Sequence, residues 1–266
     1  MRFLLVLFIL SFFPVHAQNL DVTSGAVAID DGYTYLVTNK EPFPVTVKLD
    51  LKPNNLKVNT SKRVFVVPAN TENFEILQMH MIKRDTYGYK ASASYLIGNQ
   101  TQEPLDFLYH LPYARTASYR VSQGNNSSST HRGKYAIDFS MPTGTPVHAA
   151  RGGLVIAVRE DQSLGCTKPK CLEYANYIKI LHKDGTIAEY THLMVNGSLV
   201  RKGDKVNKDQ HIGYSGNTGW STGPHLHFTV YRPEFSRHNR TIPVRFWLGN
   251  SVAVNELQEN RHYRKP

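Results

Sequence analysis

His225-Leu226-His227 sets two histidines two positions apart. The run Leu226 to Tyr231 reads as a strand. Side chains on a strand repeat every two residues, so both imidazoles point to one face while Leu226 turns to the core. Such a pair can put one ring on a metal ion and the other beside it. Asp138 sits in the hydrophobic run Tyr135-Ala136-Ile137-Asp138-Phe139, where a carboxylate is costly unless paired or coordinated; the plainer reading is a turn-capping residue ahead of Met141-Pro142. His131 can reach the same point from a loop. Two imidazoles and one carboxylate, with a fourth position left to water, are a known catalytic zinc set, whereas a structural site is filled by protein ligands. His192 ends the run Thr186 to Thr191, and a neutral imidazole there suits proton transfer or a contact to a developing oxyanion.

Taken together, His131…Asp138, Tyr190-Thr191-His192-Leu193, Ile212-Gly213-Tyr214-Ser215-Gly216-Asn217-Thr218-Gly219 and Gly223-Pro224-His225-Leu226-His227-Phe228 resemble the lysostaphin/LytM-type zinc endopeptidases, which cut peptide cross-links of bacterial peptidoglycan. The resemblance runs from about Leu108 to Phe246. It implies one zinc ion on His131, Asp138 and His227, with His192 and His225 as the catalytic histidines. His225 would take up the proton and His192 stabilise the oxyanion, two roles open to exchange. Six residues separate His131 from Asp138 where the family usually has three, so a longer loop must close onto the ion. Degenerate members of the family bind the wall or activate hydrolases without cutting, but they typically lose ligands, and this chain has all five positions filled.

The glycines at 213, 216, 219 and 223 lack the Lys-Ser/Thr ending of a phosphate loop and run into a strand, so a side-chain-poor wall beside a peptide groove is expected of them. Tyr190 is a candidate substrate contact through its hydroxyl, with a core tyrosine as the equal alternative. His80, His148, His182, His211, His238 and His262 carry no ligand pattern and read as ordinary histidines. Cys166 and Cys171, with four residues between them, are expected to close a small disulfide loop; half a zinc site lacks a second cysteine pair.

The elements that must position these groups read as β throughout. From Leu20 to about Leu105, short runs such as 34–37, 45–49, 64–67 and 89–93 are punctuated by turn clusters, the pattern of an immunoglobulin-like sandwich. Runs at 135–139, 153–158, 177–182, 186–190 and 226–231 continue the pattern, and no convincing amphipathic helix appears among them. The expected fold class is therefore all-β. A signal peptide over residues 1–17 precedes an immunoglobulin-like domain over 18–107, a peptidase domain over 108–255 and a solvated basic tail over 256–266. Gating the groove or binding a regulatory partner are the roles open to the N-terminal domain.

Charged residues make up 20% of the 266 and hydrophobic ones 41%, which excludes a disordered polyelectrolyte. The apolar run Phe3 to Phe13 falls short of the ~20 residues that span a bilayer, and with Arg2 before it and Val15-His16-Ala17 after it, has the form of a secretory signal cleaved before Gln18. A periplasmic or extracellular product with no membrane anchor is expected. The formal charge of +10 favours polyanions. Its scattered Lys and Arg match no nucleic-acid motif, so carboxylate-rich wall polymer or a membrane surface is the polyanion expected and nucleic acid is not.

Overall fold

The computed structural model describes residues 20–235, 239–250 and 253–266; the expected signal peptide and His238 lie outside the described residues. The chain divides into two compact units, ending at Tyr95 and beginning at Leu96. Both are built of strands, so the fold is all-β as expected. A 3-10 turn at Pro169–Tyr174 is the helical element among the described residues, and none of these residues form a helix long and apolar enough to cross a membrane.

The first unit contains β1 (Val22–Ile29), β2 (Gly32–Asn39), β3 (Val45–Asn54), β4 (Leu56–Val58), β5 (Val64–Val67), β6 (Thr71–Met81) and β7 (Gly88–Ile97), which runs across the boundary. They form sheets of order β1-β2-β6-β4 and β5-β3-β7. Alternation explains the core: Val45, Val47 and Leu49 of β3, with Tyr35, Val37, Leu77 and Met79 of β2 and β6, are buried, while Lys48 and Asp50 between them are exposed. An immunoglobulin constant-type sandwich would order its sheets 1-2-5-4 and 3-6-7. Here strands five and six have exchanged sheets, so the two-sheet character holds and the immunoglobulin order does not.

The second unit contains β8 (Leu108–Tyr109), β9 (Ser118–Gln123), β10 (Ala136–Phe139), β11 (Pro146–His148), β12 (Gly153–Arg159), β13 (Gly165–Cys166), β14 (Tyr177–Leu181), β15 (Ile187–Thr191), β16 (Leu193–Ser198), β17 (Lys205–Val206), β18 (His211–Ser215), β19 (Gly219–Trp220), β20 (Leu226–Arg232), β21 (Arg240–Thr241), β22 (Arg245–Trp247), β23 (Ala253–Val254) and β24 (His262–Arg264). Its main sheet has the order β17-β12-β14-β15-β20-β10-β9-β24, with β21 on β20. Ile137, Phe139, Ile178, Ile180, Ala188, Tyr190, Leu226, Phe228 and Val230 line one face of this sheet and belong to a single buried cluster. The alternate residues, among them Asp138, Glu189, Thr191, His227 and Thr229, form the other face.

This unit starts ahead of the expected Leu108. Gln100 donates to the carbonyl of Gly185 at 2.8 Å and accepts from the Arg232 guanidinium at its own carbonyl at 2.7 Å; the Leu105 amide donates to Asp184 at 3.0 Å. The tail requires a correction, since residues 256–266 are not solvated as a whole. β24 pairs with β9, Leu257 is 1% exposed and Lys265 2%. Lys265 is 2.6 Å from Asp209, the charge partner that its burial demands.

Candidate metal centre and flanking histidines

Asp138 of β10 and His227 of β20 are direct antiparallel partners, so their side chains leave the sheet side by side, and Thr191 of β15 flanks His227 on its other edge. His131 arrives from the loop after β9. That loop is closed by Asn126 donating to the Lys134 carbonyl and Lys134 to the His131 carbonyl, both at 2.8 Å. The six intervening residues thereby turn back on themselves, and His131 is 1% exposed.

Three donor atoms converge. His227 Nδ1 lies 2.8 Å from Asp138 Oδ1, and His131 Nε2 lies 3.3 Å from that oxygen and 3.2 Å from His227 Nδ1. Ligands about 2.0 Å from a tetrahedral zinc ion are separated from one another by about 3.3 Å, so the trio has the spacing and donor chemistry of three corners of such a site. The second ring nitrogen of His131 faces the Gly124 carbonyl at 2.9 Å. A carbonyl can only accept, so Nδ1 carries a proton and Nε2 is the atom turned toward the other two, the outer-shell arrangement of a ligating histidine. Burial alone would raise the Asp138 carboxyl. Hydrogen bonds from His131 and His227 and the charges of His227 and His225 outweigh it and hold the group well below the usual carboxylate range. Burial likewise opposes protonation of His131, but Asp138 reverses the balance and the net shift is upward.

His225 and His192 stand beside the trio, with ring centroids 4.5 Å apart, and His225 Nε2 is 3.8 Å from Asp138 Oδ1. His192 follows β15 with φ +66°, a left-handed conformation uncommon outside glycine, which swings its ring off the strand. Its Nδ1 donates to the Thr218 carbonyl at 2.6 Å. Burial and then the neighbouring His225 and His227 push it down to about 3, so the ring is neutral with an accepting Nε2. His225 Nδ1 is held by the Gly223 carbonyl at 2.8 Å and lies 3.2 Å from the Ser221 hydroxyl.

One segment, residues 216–225, thus anchors both rings. Its Thr218 hydroxyl donates to the Leu193 carbonyl at 2.8 Å, and Ser221 donates to Asn217 at 2.7 Å. Gly219 has φ +82°, and a Cβ there would stand 2.6 Å from that of Ala175. The Cys166–Cys171 disulfide is formed. Its loop braces this segment: β13 pairs with β19, the Ser221 amide donates to the Cys166 carbonyl at 3.0 Å, and Trp220 Nε1 donates to that of Thr167 at 3.1 Å.

Tyr190 is not at the groove. It is fully buried, packs on Phe228 at 5.2 Å, and its hydroxyl accepts the Ala150 amide at 2.8 Å, which corrects the expected substrate contact. His182 donates from Nδ1 to Gly152, His148 stacks on His211 at 5.2 Å, and His80 pairs with Asp31 at 2.9 Å, all outside the trio. Sequence reasoning missed Thr218, Ser221 and Gly124. Thr218 falls in the glycine-rich run already singled out and Ser221 just after it; Gly124 acts through its backbone and leaves no side-chain signal.

Residues 132–241 match the family described as Peptidase family M23. A 93-residue stretch, 35% of this chain, is 43% identical to 19% of the peptidoglycan DD-endopeptidase ShyA of Vibrio cholerae. An uncharacterized metalloprotease of Buchnera aphidicola is 29% identical over 197 residues, 70% of this chain and 49% of that protein. Lysostaphin of Staphylococcus simulans is 35% identical over 113 residues, 42% of this chain and 21% of that protein. Its catalytic domain aligns with a TM-score of 0.35 and 29% identity over 47% of this chain and 88% of that one. The chain spans about half or less of the length of these curated relatives.

Proposed function

We propose that this chain, whose residues 132–241 are a peptidase family M23 domain, is an exported zinc metalloendopeptidase that hydrolyses an amide in the stem peptides or cross-links of bacterial peptidoglycan. The observation that carries the reading is the convergence of His131 Nε2, Asp138 Oδ1 and His227 Nδ1 within 2.8–3.3 Å of one another, with two further imidazoles alongside. The named activity of ShyA supports the substrate class, and the formal charge of +10 suits a carboxylate-rich polymer.

His131, Asp138 and His227 would hold the ion. Zinc supplies polarisation of the scissile carbonyl and lowers the pKa of a water molecule to about 7. The protein's own groups then manage protons. With its proton fixed on Nδ1 by Thr218, neutral His192 presents an acceptor at Nε2, so it orients the attacking water; an oxyanion contact would need a proton at that atom. His225, whose Nδ1 is held by the Gly223 carbonyl, turns Nε2 toward the trio 3.8 Å from Asp138 Oδ1, so His225 takes up the water's proton and returns it to the leaving amine.

His225→Ala is expected to lower hydrolysis of purified sacculi by at least about a hundredfold while one zinc per chain remains, measured by muropeptide release and metal analysis. Asp138→Ala should lose the metal as well. Undiminished turnover in His225→Ala would remove the proton-transfer assignment, and wild-type protein without stoichiometric zinc would remove the metallopeptidase reading.

A further inference from the structure

The segment after Leu257 does more than complete the sheet. The Asn260 amide donates to the Val121 carbonyl at 2.8 Å and the Val121 amide to the Arg261 carbonyl at 2.9 Å, which locks the segment onto β9 just before β24 begins. At this point Glu259 Oε1 accepts the Gly124 amide at 2.9 Å. The Gly124 carbonyl in turn accepts Nδ1–H of His131 at 2.9 Å. A carboxylate on one segment is therefore joined through the two backbone groups of a single residue to the ring that contributes Nε2 to the trio.

Gly124 eases this closeness, because a Cβ there would crowd Glu259 Cγ at 3.3 Å. Hydrogen bonds to a carboxylate are stronger than neutral ones, and a restrained Gly124 carbonyl decides where the imidazole proton resides. Glycine has the freest backbone of any residue, so without an anchor on its amide the carbonyl direction would be poorly defined.

We infer that Glu259 is a positioning residue for His131: by gripping the Gly124 amide it aims the carbonyl that holds His131 as the Nδ1–H tautomer, leaving Nε2 free for zinc. This rests on the reading of His131 as a zinc ligand. The role requires the bond to Gly124 and is separate from the general attachment of the segment, which Arg120 supports by donating to the Asn260 side chain at 2.8 Å.

The test is zinc affinity of the full chain, measured by competition with a chromogenic chelator, for wild type, His131→Ala, Glu259→Ala, Glu259→Asp, Glu259→Gln and Arg120→Ala. Glu259→Ala is expected to bind zinc roughly 10–100-fold more weakly, the range for outer-shell partners of metal ligands. Glu259→Asp, one methylene too short, should fall with it, whereas Glu259→Gln keeps an accepting oxygen and should return to within a few-fold of wild type. Arg120→Ala should leave the affinity unchanged. In metal-free Glu259→Ala, the nitrogen NMR spectrum of His131 should show mixed tautomers in place of one. Wild-type affinity in both Glu259→Ala and Glu259→Asp, or an equal loss in Arg120→Ala, overturns the positioning role while the zinc reading stands. Wild-type affinity in His131→Ala removes His131 as a ligand, and this inference with it. Should Glu259→Ala fail to fold, the comparison of Glu259→Asp with Glu259→Gln decides.

Discussion

Tyr190 and His192 are two positions apart, yet one is core and the other borders the metal trio. Strand alternation accounts for Tyr190: Thr191 pairs beside His227 on the open face, so its neighbour Tyr190 must face the buried side. His192 escapes the alternation because its backbone is left-handed. The five polar residues of the site were legible as chemistry-bearing types, but the partners that hold the rings of His131, His192 and His225 are carbonyls of Gly124, Thr218 and Gly223, which every residue type supplies. The core placement of Tyr190 makes a prediction at this scale. Tyr190→Phe strands the buried Ala150 amide and should cost about 1–3 kcal/mol in urea denaturation, with kcat/KM for wall fragments unchanged. A selective fall in kcat/KM at unaltered stability would return Tyr190 to the substrate groove.

Strands with clear alternation, such as β3 and β20, were legible because one face is apolar and the other polar. β24 was not, since Arg261, His262, Arg264 and Lys265 hide its pattern under charge. Period two is nevertheless present: His262 and Arg264 are exposed, Tyr263 is partly covered and accepts Tyr113 through its carbonyl at 2.5 Å, and Lys265 is buried against Asp209. Removing residues 256–266 should therefore lower the Tm of the second unit by more than about 5 °C. Burial of Leu257 alone contributes roughly 1.5–3 kcal/mol, and each kcal/mol moves a unit of this size by about 2–4 °C. A truncated chain that melts with the full one in calorimetry would show the strand to be an ornament. The stretch 98–107 was hidden for a related reason. It is held to the second unit by Gln100 and by Asp184, bonds that leave no hydrophobic periodicity to read.

At the scale of the molecule, stability is set against acid by histidines buried without charge. His182 is pushed down to about 4, by burial first and then by the Arg151 guanidinium, and its Nε2 has no hydrogen-bond partner. Its folded value lies below the unfolded ~6.5, so the unfolded chain binds the proton more readily. The contribution is whole above about pH 6.5, declines as pH falls toward 4 and amounts to about 3 kcal/mol across that window. Urea melts from pH 7.5 to 4, with metal chelated, should show this decline and a shallower one in His182→Asn; parallel slopes would assign the acid sensitivity elsewhere. The connection of β9 to the segment around Glu259 also has a temporal side. A ribosome reads codon 131 long before codon 259, so a nascent polypeptide already carrying His131 and His227 still lacks the Glu259 carboxylate that grips Gly124. Translation order then acts as a delay: the activity proposed above would be withheld until the segment that completes its site has been made.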